Sequence, residues 1–152
     1  MERNMCVVFQ FAFSRTPLEI YCQKNFRGEF ANLGVVVFEM AEHRAIQAFL
    51  ELAVYLRALD DEENVGKHMK EHTDVEFGTL IVASGQTRAL TLRDIANKVI
   101  HGTGYRWQFS ADAAPQFVCD SKEGGMPQNW TRAEIDLGKL LLFCGMLMPG
   151  EI

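Results

Sequence analysis

"TLRDIANKVIHGTGYRWQF", residues 91–109, changes its hydrophobic period half-way along. Up to His101 the apolar residues Leu92, Ile95, Ala96 and Val99 mark one face of a helix. Beyond Gly102 the aromatic residues Tyr105, Trp107 and Phe109 stand two apart, as they do on a strand. Thr91 and Asp94 have the spacing of a capping box, which predicts a helix start. Gly102 is placed to close that helix in a left-handed conformation. A helix feeding a strand within nineteen residues predicts a chain of mixed class.

Downstream, "ADAAP" (111–115) turns the chain and "QFVCDS" (116–121) returns it, predicting a hairpin. "SKEGGMPQN" (121–129) reads as a loop punctuated by Gly124, Gly125 and Pro127. Thr131 and Glu134 repeat the capping-box spacing, predicting a final helix from residue 131. Its "LGKLLLFCGMLM" (137–148) is apolar almost all round, so that helix is expected to be central or at a subunit interface.

Upstream, "GTLIVASGQTRALTL" (78–92) predicts another hairpin, and residues 65–72 a short helix. Ile46, Phe49, Leu50, Ala53 and Leu56 predict a helix over residues 44–59, ended by a solvated acidic turn at Asp60, Asp61, Glu62 and Glu63. Thr16, Pro17 and Glu19 predict a further helix start, with Pro17 at its first position. From there Leu18, Cys22, Phe26, Phe30, Leu33, Val37 and Met40 mark one apolar face of a long helix. Gly28 and Gly34 cost that helix about 1 kcal/mol each relative to alanine, pointing to close packing or to a break. Ahead of it, Val7, Phe9, Phe11 and Phe13 alternate like a strand. The sum is an α+β protein, mainly α, with about four bundled helices and one or two small β-hairpins in a single domain, residues 1–152.

The net charge is −5, so nothing attracts phosphates globally and any nucleic-acid contact has to be local. Cys6, Cys22, Cys119 and Cys144 lie far apart among apolar neighbours, unlike paired zinc ligands. A reducing cytoplasm is the simpler expectation. The N-terminal stretch lacks the pattern of a signal peptide, and no run approaches the roughly eighteen apolar residues of a membrane span.

Three places carry candidate chemistry. At about 100° per residue, Arg93, Asn97 and His101 form a polar stripe beside the apolar face of their helix. A guanidinium binds phosphate bidentately and an imidazole moves protons near neutral pH, which together suit phosphodiester cleavage. The structural alternative is that Arg93 pairs with an acid, Asn97 ties down a neighbouring segment and His101 completes the helix end. His68, Glu71 and His72 read His-x-x-Glu-His, two zinc ligands one turn apart with a general base, but lack a specified third ligand. A solvent-facing helical turn is the simpler account of them. Tyr105, Arg106 and Trp107 interleave a cation with aromatics, either as a platform for stacking bases or as core packing.

"ANKVIHG", residues 96–102, resembles the signature of the HEPN domains, small helical bundles, at Asn97, His101 and Gly102. The resemblance implies contact with RNA or a nucleotide. In catalytic members it implies metal-independent RNA cleavage at a dimer interface, with no cofactor, in defence or mobile-element settings. The arginine that the family carries immediately before the asparagine is Ala96 here. "LRDIANKVIH" (92–101) also resembles a segment of bacterial and phage proteins. The competing expectation is a non-catalytic inhibitor or regulatory protein that binds a partner protein, with a homodimer formed through the last helix as a further expectation.

Overall fold

The computed structural model describes residues 1–72, 75–121 and 129–147, apart from the side chains of Lys70 and His72. In chain order the elements are α1 (Glu2–Asn25), a 3-10 turn (Gly28–Phe30), α2 (Ala31–Glu63), α3 (Val65–His72), β1 (Gly78–Val82) and β2 (Thr87–Ala89). They continue with α4 (Leu92–His101), β3 (Gly104–Gln108), β4 (Gln116–Asp120), β5 (Trp130–Asp136) and α5 (Leu137–Met146). The protein is α+β and mainly helical, as the periodicity predicts.

The N-terminal segment is a helix, against the expected strand. Val8, Phe11 and Ala12 are buried at helical spacing, whereas Phe9 and Phe13 point to solvent. A short run in which nearly every residue is apolar satisfies both periods, and only the packing partner chooses between them. The Thr16–Glu19 box starts no helix. It lies within α1, where Pro17 is exposed on the outer side and Glu19 pairs with Arg15 at 2.5 Å.

The predicted long helix is two helices. The chain reverses at Gly28, whose φ of +63° is the left-handed conformation that glycine adopts without strain. Gly34 serves the other expectation, close packing: its Cα faces Cys22 and Phe26, and an added Cβ would lie 3.5 Å and 3.7 Å from them. The 33-residue α2 is far longer than the expected 44–59 and runs roughly 50 Å. The acidic run forms its last turn. Asp61, Glu62 and Glu63 are exposed, but Asp60 is buried, so the run is not uniformly solvated.

Both hairpins form, and an unexpected strand joins them. Residues 130–136 make β5, not the first turn of a helix, giving a five-stranded antiparallel sheet ordered β2-β1-β5-β4-β3. Ala133 and Ile135 face the core while Arg132 and Glu134 alternate with them on the other face. That period of two prevails over the capping-box spacing because β5 pairs on both sides. The last helix starts six residues later than expected, where Asp136 accepts from the Lys139 amide at 3.0 Å.

The helices cover one face of the sheet, and the core sits between the layers. Phe49 of α2 meets Phe117 of β4 edge-on at 4.4 Å, and Phe77 meets Phe143 of α5 at 5.4 Å. Each such aromatic pair adds about 0.5–1.5 kcal/mol beyond the area it buries. The opposite face carries Arg106, Asp120, Arg132 and Glu134, the polar side that an antiparallel sheet presents to water. Among the described residues no helix is long and apolar enough to cross a membrane.

Candidate functional site

The helix that carries the polar stripe is α4, and its start is built as its sequence predicts. The Asp94 amide donates to the Thr91 hydroxyl at 3.1 Å, and the Thr91 amide donates back to the Asp94 carboxylate at 3.1 Å. Arg88 on β2 grips the same carboxylate with two hydrogen bonds of 2.6 and 2.8 Å. Burial works to raise the Asp94 pKa, but the hydrogen bonds from Arg88 and Thr91 outweigh it and hold the carboxyl below its ordinary value. The helix ends differently from expectation. Gly102 is extended (φ −68°, ψ 157°) rather than left-handed. Glycine is needed there for space, since a Cβ would sit 2.8 Å from the Lys98 carbonyl.

Arg93 and Asn97 point at α2. Arg93 donates to Asp60 at 2.9 Å and also to Asp61. Asp61 takes a second guanidinium, Arg57, at 3.0 Å, and Arg57 in turn donates to the Asn97 side-chain oxygen. Asp60 additionally accepts the Gly66 amide at 2.7 Å, which ties α3 into the same cluster. The hydrogen bonds from Arg93 and then Arg57 hold the Asp61 carboxyl below its usual range, while Asp61 and Asp60 raise the Arg93 pKa. Two guanidinium groups thus meet two carboxylates and an amide, and the formal charges cancel. The arrangement clamps α4 and α3 onto the end of α2, as the structural alternative for Arg93 requires.

His101 is separate from this cluster. It lies two turns beyond Arg93, about 12 Å along the axis, and its ring is exposed at the end of α4. Ala96, the position of the arginine in the HEPN signature, is only 1% exposed and faces the core. A guanidinium there would have no route to solvent.

The aromatic residues of the stripe after α4 pack inward. Trp107 lies edge-on to Phe11 of α1 and to Phe117, each at 4.9 Å, and Tyr105 stacks on Phe117 at 5.8 Å. The Tyr105 hydroxyl donates to the carbonyls of Val99 and Gly102 at 2.9 and 2.7 Å. That leaves no stacking platform of Tyr105 and Trp107. Arg106, on the opposite face, pairs with Asp120, which also accepts from Arg132 at 3.0 Å.

The zinc pattern lies on α3, whose helical backbone sets His68 and His72 one turn apart beside Glu71. The His72 side chain is outside the described residues. Among the described residues, no three histidine, cysteine, aspartate or glutamate side chains are placed to hold a metal ion.

A surface the sequence does not announce lies on the α1–α2 pair. Leu33, Val36, Val37 and Met40 are 49%, 50%, 42% and 54% exposed, on one face of α2. The apolar stripe that contains Leu33, Val37 and Met40 is legible in the sequence, without Val36; its exposure is not, because the same spacing describes a buried helix. No family model, curated protein or solved structure matches the chain.

Proposed function

We propose that this chain is a non-catalytic binding protein that inserts the exposed face of α2 into an apolar groove on a partner protein. The observation that carries this function is the spacing of Leu33, Val36, Val37 and Met40. They sit at i, i+3, i+4 and i+7, the anchor pattern by which a helix fills a groove, and all four are half-exposed. Large contiguous apolar patches on a protein surface mark interaction sites. The net charge of −5 suits a partner of opposite charge.

The test compares affinity capture by the wild type with capture by a Val36→Glu, Met40→Glu double variant, followed by titration of the purified partner. A partner that binds the wild type and loses at least tenfold in affinity for the variant, about 1.4 kcal/mol, supports the function. Equal binding to both proteins overturns it.

An RNA-contacting, HEPN-like function has one observation in its favour, the exposed imidazole of His101. Its cation would have to come from Arg93, which first has to leave Asp60 and Asp61. Incubation with labelled RNA in EDTA, beside His101→Ala, tests it, and product formed only by the wild type would support it.

A further inference from the structure

A second exposed stripe runs the length of α1. Glu2, Cys6, Phe9, Phe13, Pro17, Ile20 and Lys24 are all exposed. At about 100° per residue they fall within roughly 80° of the helix surface, on the side turned away from the buried Val8, Ala12 and Cys22. Phe9 and Phe13 already stack on each other at 4.8 Å.

The order of residues along this stripe is self-complementary when reversed. The positions 2 and 24, 6 and 20, 9 and 17 are symmetric about residue 13. An antiparallel copy therefore meets the stripe with Phe13 on Phe13, Phe9 on Pro17, Cys6 on Ile20, and Glu2 on Lys24. Apolar residues face apolar residues throughout, and each end closes with opposite charges. A parallel copy would instead set Glu2 on Glu2 and Lys24 on Lys24. We infer that this protein forms a two-fold dimer in which α1 packs antiparallel against α1 of a second copy, with Phe13 at the axis.

The surroundings of the stripe fit that occupant. Beside Cys6 and Phe9, α1 and α5 enclose an apolar groove of about 310 Å³ bordered by Leu141 and Leu142. It lies where the second copy's Ile20 arrives. Phe9, Phe13, Ile20 and Leu142 are 52%, 41%, 61% and 74% exposed. With Cys6, Pro17 and the terminal Glu2 and Lys24 added, and with residues of about 150–200 Å² each, the face offers roughly 600–700 Å². A stable interface of standard size takes about 800 Å² from each partner. The contact is isologous, so it closes on itself and forms no chain of subunits.

Sedimentation of the full chain at micromolar concentration should give twice the 17.2 kDa chain mass, and Phe13→Glu should give the single mass with an unchanged circular dichroism spectrum. Register is read by oxidative cross-linking with copper–phenanthroline. Ile20→Cys should cross-link to the native Cys6 of the second copy and lose that product when Cys6→Ser is added. Phe13→Cys in a Cys6→Ser background should cross-link to itself. A wild type that is monomeric throughout overturns the proposal, as does a dimer that survives Phe13→Glu or lacks these cross-links. The stripe on α2 is untouched by these changes, so the partner-binding function stands or falls separately.

Discussion

Arg93 of α4 donates to Asp60 of α2 at 2.9 Å, and Asp60 is 9% exposed. The buried carboxylate is held by this guanidinium on one side and by the Gly66 amide, at 2.7 Å, on the other. Three helices meet at one side chain. Asp60→Ala should therefore lower unfolding stability by about 1–3 kcal/mol, through loss of the charge-assisted hydrogen bonds that the buried carboxylate accepts. Urea denaturation checks this, and an unchanged midpoint would show that the clamp is dispensable.

His101 has no such duty. His101→Ala should leave thermal stability within the small range of ordinary surface changes, about 0.5 kcal/mol. In EDTA, wild type and variant should release the same background amount of fragments from labelled RNA. A product that depends on His101 would restore the nuclease function.

Gly78 opens β1 at φ +137°, where an added Cβ would lie 2.0 Å from the Glu134 carbonyl of β5. Neither backbone has a flexible side chain to yield. Gly78→Ala should cost at least about 3 kcal/mol, through steric clash together with strain in a conformation that only glycine tolerates. Soluble yield and a thermal melt would register the loss.

Acid should destabilise the fold through paired carboxylates. The hydrogen bonds from Arg93 and Arg57 lower the Asp61 pKa. For Asp94 and Asp120 burial opposes the shift, but bonds from Arg88 and Thr91, and from Arg106 and Arg132, prevail and lower both. Because these carboxyls bind protons less readily folded than unfolded, their contribution is complete above the unfolded value of about 4. It is lost as the pH falls through the lower folded values. Urea midpoints measured downward from pH 6 should hold steady and then drop below about pH 4, with a shallower drop for Asp94→Asn.

The capping box at Thr91, the apolar stripe of α4 and the strand–turn–strand order of both hairpins depend on neighbours in the chain, and all of them are present as read. The failures share a cause. "VVFQFAF" (7–13) is apolar at both periods, and it is helix because α1 packs along α2, which buries Val8 and Ala12 at helical spacing. "TRAE" (131–134) has capping-box spacing, yet it lies between β1 and β4, whose backbone groups it satisfies.

The candidate site divides in the same way. Arg93, Asn97 and His101 could be placed on one helix stripe from spacing alone, and the ion pair of Arg57 with Asp61 is an i, i+4 pair visible in the sequence. That Arg93 is spent on Asp60, 33 positions away, was decided by how α4 docks on α2. Local spacing specifies helix starts and amphipathic faces, because capping and periodicity act over a few residues. Which face is covered, and which charges meet, depends on contacts between distant segments, and only the packed chain specifies those.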